Sequence, residues 1–151
     1  MDAALRQLVV FNLAEQRYAL RLSAVERVVR IAEVTALPKA PEIVLGIINV
    51  RGCIVPVVDT RSRFGLPARE ANLSDHLIIA RTSRRVVALL VDVVAGVIQH
   101  SRAALIAADQ ILRNLDYVAG VLKLEDGLIF IHDLDTFLSA AEERTLEQAL
   151  E

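Results

Sequence analysis

A chain of 151 residues with 54% hydrophobic but only 4% aromatic residues can bury a substantial core, built from Val, Ile, Leu and Ala rather than from large rings. The formal net charge is -2 and the basic residues are scattered, which excludes the concentrated positive footprint used on nucleic acid or an anionic membrane and leaves protein partners. One cysteine, Cys53, excludes an internal disulfide and a thiolate metal site and fits a reducing compartment.

Strand patterns come first along the chain. Leu8 to Leu13 and Tyr18 to Leu22 flank the polar Ala14-Glu15-Gln16-Arg17, which predicts a hairpin with a four-residue connection. Val25, Val28 and Val29 continue the apolar pattern, and Val34 to Leu37 lead into Pro38 and Pro41, where the backbone leaves the ladder. Between Ala40 and Asp59 two apolar, β-branched runs flank Asn49-Val50-Arg51-Gly52, a tight turn that holds one arginine in water. Thr60 to Gly65 reads as one helical turn capped by Asp59 and stopped by glycine. Leu66 to Ser74 is linker-like and belongs at the surface.

The second half repeats the first. Shifting Leu8–Val29 by 69 positions lays it on Leu77–Ile98, and 12 of the 22 pairs are apolar in both copies, about twice the number composition alone gives. Shifting Val44–Phe64 by 74 positions lays it on Val118–Leu138 and superposes Gly46 on Gly120 and Asp59 on Asp133. A unit of about 70 residues is near the lower limit of independent stability, so two units sharing a face are expected: two small β-barrels side by side with a common interior. The organisation expected is one domain over 1–151 with pseudo-repeats over about 8–64 and 77–138. From Asp133, the spacing of Leu134, Phe137, Leu138, Ala141, Leu146 and Leu150 predicts a C-terminal helix over about 134–149, with Asp133 or Asp135 as its N-cap and Glu142-Glu143-Arg144 on its outer face.

Reactive chemistry has little material. His76, His100 and His132 have no partner at metal-ligand spacing. Asp59 and Asp133 occupy equivalent places where a strand gives way to a helical turn, so capping explains both. Ser101 and Ser139 lack a nucleophile-elbow context, and six glycines leave no phosphate-cradling loop. The chain is therefore expected to be no enzyme and to need no cofactor or metal. A small hydrolase would require His100, His132, Asp92 and Asp133 to converge in a cleft. Val86 to Ile98 is broken by Asp92 and falls short of the ~20 apolar residues of a spanning helix, and the N-terminus lacks a signal-peptide pattern, so a soluble, cytoplasmic protein is expected.

The segment Pro41-Glu42-Ile43-Val44-Leu45-Gly46-Ile47-Ile48-Asn49-Val50-Arg51-Gly52-Cys53-Ile54-Val55-Pro56-Val57-Val58-Asp59 closely resembles the signature of CheW-like domains, the small adaptors of bacterial chemosensory arrays. Supporting likeness comes from Tyr18, Val25-Glu26-Arg27-Val28, Tyr117-Val118-Ala119-Gly120-Val121, Asp126-Gly127-Leu128-Ile129 and Asp133-Leu134, so that it runs from about Leu8 to Leu138. The resemblance implies a mainly β fold of two five-stranded SH3-like barrels with a groove between them. It implies a non-enzymatic scaffold that couples chemoreceptors to a CheA-type histidine kinase, docking on the kinase regulatory domain and on the cytoplasmic tip of the receptors. An alternative within the same family is a divergent module that caps or sequesters a kinase or CheW-like domain without receptor coupling.

Candidate partner-binding residues are Val25, Arg27, Val28, Ile47, Asn49, Arg51, Val97 and Ile98. Arg51 suits a bidentate contact with a partner carboxylate, or an intramolecular salt bridge that holds the hairpin. The valines and Ile98 could line a groove for a partner helix, or pack in the core. Members of the family usually carry glutamate where this chain has Arg27. If that glutamate pairs with the signature arginine, Arg27 and Arg51 put like charges together here, and partner choice should differ.

Overall fold

The computed structural model of the chain describes residues 5–31, 33–67, 69–101, 105–107, 117–125 and 127–151. Strands β1 (Leu5–Leu13) and β2 (Gln16–Arg21) form the first hairpin, followed by β3 (Val25–Arg30), β4 (Val44–Val50) and β5 (Cys53–Asp59). The short helix α1 (Thr60–Arg63) leads to β6 (His76–Arg81), β7 (Val86–Val91), β8 (Val93–Ser101), β9 (Leu105–Ala107), β10 (Val118–Leu124) and β11 (Gly127–His132). Helix α2 (Ala140–Leu150) ends the chain. The first connection is tighter than the four residues the polar run suggests. Leu13 pairs with Gln16, because Ala14 adopts a left-handed φ of 56° and closes the turn within two residues.

Two sheets result, in the strand orders β8-β1-β2-β11-β10-β9 and β3-β6-β7-β5-β4. The first has one strand more than five, the three-residue β9. Under the 69- and 74-residue shifts, β1, β2 and β3 fall on β6, β7 and β8, and β4 and β5 fall on β10 and β11. The order β3-β6-β7-β5-β4 then maps onto β8-β1-β2-β11-β10. Each sheet therefore takes strands from both halves of the sequence: β3 leaves the first half to pair with β6, and β8 returns to pair with β1.

The irregularities obey the same relation. Glu26 bulges out of the β3–β6 ladder and Ala95 out of the β1–β8 ladder, 69 positions apart. Leu45 bulges from β4–β5 and Ala119 from β10–β11, 74 positions apart. Bulges re-aim the residues beyond them, which lets one strand serve two faces.

Apolar residues on both faces of the central strands explain the weak alternation of the sequence. Leu8, Val10, Ala19, Leu122, Ile129 and Ile131 fill the first lobe. Ile48, Val55, Val57, Leu77, Ile79 and Ala88 fill the second. A third cluster, with Phe11, Leu20, Val58, Ile78, Leu89 and Phe137, lies between the sheets and is shared by both. Positions related by the shift serve equivalent cores: Leu8 and Val10 match Leu77 and Ile79, and Ile129 and Ile131 match Val55 and Val57.

The C-terminal helix starts later than the apolar spacing suggests. Asp133 caps only a separate helical turn over Leu134–Thr136, accepting from the Asp135 N–H. Ser139 then begins α2 with a capping box: its side chain accepts from the Glu142 N–H, and the Glu142 carboxylate accepts from the Ser139 N–H at 2.8 Å. This start sets the phase of the helix, so Glu143 faces inward with Leu146 instead of outward. Its carboxylate accepts from Arg85 Nε at 2.7 Å, which satisfies the buried charge.

Candidate functional site

The signature hairpin turns through Arg51 and Gly52, with φ of 51° and 85°, while Val50 pairs with Cys53. Both central residues at positive φ define the two-residue turn whose twist matches the flanking strands. Holding a non-glycine residue there costs about 1 kcal/mol. The turn is buttressed by Asn49, whose Oδ1 accepts from the Gly52 N–H at 2.7 Å. Further down, Thr35 exchanges two backbone hydrogen bonds with Ile47, at 2.8 and 2.9 Å. A Cβ at position 46 would lie 2.3 Å from the Thr35 oxygen, so only glycine permits that approach.

Arg51 thus stands exposed on a fixed support, and beside it a depression of about 430 Å³ opens over the second lobe. Val55 and Ile79 of that lobe's core contribute to its floor, with Leu150 from α2 and Ile54, which is 54% exposed. Arg27, half-buried on β3 just after the Glu26 bulge, lines the same depression, as do Arg81 and Arg85. Two of these four charges are answered: Arg81 Nε meets Glu26 at 3.0 Å and Arg85 meets Glu143. Arg27 and Arg51 have no ion pair or hydrogen bond among the described residues.

The other candidates separate. Asn49 is exposed at the turn and Ile47 half-buried on β4. Val25 packs against the shared core and Ile98 against the core of the first lobe. Val28 and Val97 are exposed on β3 and β8, edge strands of different sheets, at positions related by the 69-residue shift.

Three of the groups that a hydrolase would need, His132, Asp133 and Asp92, are engaged in packing, capping and ion pairs. His132 is caged by Phe64 and Phe137, with ring centroids 5.1 and 4.1 Å away, and burial pushes its pKa down to about 3. Asp133 and Asp59 cap their helical turns. Asp92 accepts from Arg61 Nε and Nη2 at 3.1 and 2.6 Å, from Arg69 Nη2 at 2.6 Å and from the Ala14 N–H at 2.8 Å. Burial alone would raise its pKa, but these donors hold it below the usual carboxylate range. No group of three metal-ligating side chains occurs among the described residues.

Sequence reasoning missed the Asp92 hub. Arg69 also grips the buried Asp75 at 2.9 Å, so the exposed segment after α1 is strapped down at two points. It also missed Arg63, which donates to Tyr117 Oη at 2.9 Å and to Glu142 at 2.6 Å and lies over the Tyr117 and Phe137 rings. Apart from Arg69 and Asp75, six positions apart, these partners are 23 to 79 positions apart, and no local spacing announces them.

A pseudo-repeated two-sheet body carries, beside its signature hairpin, a depression lined by Arg27 and Arg51. A family model described as the CheW-like domain matches residues 7–142, and the chain belongs to that family. It is 32% identical over 139 residues to the chemotaxis protein CheW of Rhizobium meliloti (strain 1021), covering 91% of this chain and 90% of that one. It is 29% identical over 144 residues to the chemotaxis protein CheW of Thermotoga maritima, covering 95% and 93%. The crystal structure of the scaffolding protein TtCheW from Thermoanaerobacter tengcongensis superposes with a TM-score of 0.83 at 32% identity, covering 91% of this chain and 94% of that one. The chain is a chemotaxis scaffold of the CheW type, mainly β and non-enzymatic. Among the described residues no helix is long and apolar enough to cross a membrane.

Proposed function

We propose that the chain is a single cytoplasmic module that couples chemoreceptors to a CheA-type histidine kinase, binding the kinase regulatory domain and the receptor tip at the same time. The observation that supports this reading is Arg51, exposed on a buttressed turn in the family signature and without an ion pair or hydrogen bond among the described residues. A rigid support keeps the entropy cost of a contact low, and a planar guanidinium offers two parallel donors to a carboxylate. Val28, Asn49 and Val97 add exposed surface to this reading, whereas Val25 and Ile98 support it from the core.

Co-purification with the regulatory domain of a CheA-type kinase, followed by titration, tests the reading. Binding in the micromolar range is expected, and absence of binding at tens of micromolar refutes it. A receptor-tip fragment added to the preformed complex should bind without displacing the kinase domain. Displacement refutes the coupler and leaves a module that caps its partner.

A further inference from the structure

We propose that the depression beside the signature hairpin takes a partner segment carrying two carboxylates around an apolar side chain, and that Arg27 selects that partner together with Arg51. The proposal rests on the docking reading above and adds the chemistry of what docks.

Four arginines line or border this one depression, but only Arg81 and Arg85 have carboxylates of their own, Glu26 and Glu143. The remaining two, Arg27 and Arg51, line the depression with no ion pair among the described residues. Like charges that line one depression repel, and carboxylates brought from outside relieve that repulsion. A partner with a single carboxylate would answer one guanidinium and leave the other opposed to the incoming chain, so the pair acts against such partners as well as for acidic ones.

The surface between the arginines indicates a protein segment rather than a free anion. Ile54 and Leu150 present apolar surface inside the depression, with Val86 beside them. An inorganic anion would gain nothing from that surface, whereas an aliphatic side chain between two acidic residues covers it. The backbone under both arginines is fixed: Arg51 stands on the left-handed turn, and Arg27 sits where β3 resumes its ladder opposite Ile79.

The probe is the peptide acetyl-Glu-Leu-Leu-Glu-amide, titrated into the isotope-labelled full chain and followed at the arginine Nε–Hε resonances. Its Gln-Leu-Leu-Gln counterpart and inorganic phosphate serve as comparisons. The expected result is a saturable shift of Arg27 and Arg51 with the acidic peptide, weakened about tenfold in R27Q and more in R27E. The thermal midpoint of each variant establishes that it is folded. An equal response to the glutamine peptide, an equal response to phosphate, no saturation at millimolar peptide, or unchanged affinity in R27E each overturns the proposal. Binding of the same samples to the kinase regulatory domain separates the two readings: if it persists while the peptide response is absent, the two-carboxylate proposal fails and the coupler stands.

Discussion

Replacing Asp92 by alanine should destabilise the whole body more than its place between two strands suggests. The carboxylate holds Arg61 from α1, Arg69 from the strap and the Ala14 N–H from the β1–β2 turn, so it joins both lobes. Each hydrogen bond to a charged group is worth about 1.5–3 kcal/mol, but the sum overstates the loss. Arg69 keeps Asp75, Arg61 keeps the Pro67 carbonyl at 3.1 Å, and the arginine side chains are 15% and 33% exposed, so water replaces part of what is removed. A net cost of about 3 kcal/mol follows, which in a chain of this length lowers Tm by roughly 9 °C. Thermal and urea unfolding followed by circular dichroism measure it. D92N, which keeps an acceptor for Ala14 and loses the charge, should fall between. If both variants melt within about 2 °C of the parent, the hub reasoning is wrong.

Two further outcomes come from backbone and protonation. G46A should cost about 3 kcal/mol, because its Cβ would lie 2.3 Å from a backbone oxygen, whereas G52A, with nothing within 4 Å but a φ of 85°, should cost about 1 kcal/mol; equal urea midpoints would contradict the close-approach argument. His132 in the folded state protonates only near pH 3, while the unfolded chain protonates at the ordinary value of 6.5, so between these the unfolded state binds more protons. Stability is complete above the higher value and falls as pH drops, by up to roughly 1.4 kcal/mol per unit. H132F should flatten that slope in urea titrations, and an unchanged slope would assign it to the carboxylates.

The fold was legible because it was written twice. Each repeat carries the same apolar positions, and the structure assigns them to equivalent cores, as with Leu8 and Leu77. The caps at Asp59 and Asp133 were legible for the same reason, since a carboxylate between a strand and a turn has one local task. What the repeats concealed is which sheet each strand joins. Periodicity reports that β3 has one face to bury, not that it crosses to β6. The inward rotation of Glu143 was hidden because the helix phase depends on where Ser139 caps it. In the site, Arg51 could be read from its turn, but that Arg27 has no ion pair among the described residues could not, because the neighbouring Glu26 turns to Arg81 instead.

Pseudo-symmetry also locates what distinguishes the two lobes. If the repeats were used identically, the first lobe would present the same cationic pair as the second. At the positions related by the shifts, Arg51 corresponds to Glu125 and Arg27 to Gly96. Cores, caps and bulges are matched across the molecule, and these two arginines are not. Matched features answer the common problem of closing two sheets around three cores, so they carry no information about partners. The unmatched pair is exposed to solvent or half-buried at one lobe's opening, Arg27 directly after the Glu26 bulge and Arg51 at the β4–β5 turn. A strained left-handed arginine and an uncompensated neighbour both weaken the isolated chain. Charges that oppose stability and stand at one of two otherwise equivalent places are best explained by what they meet outside the chain.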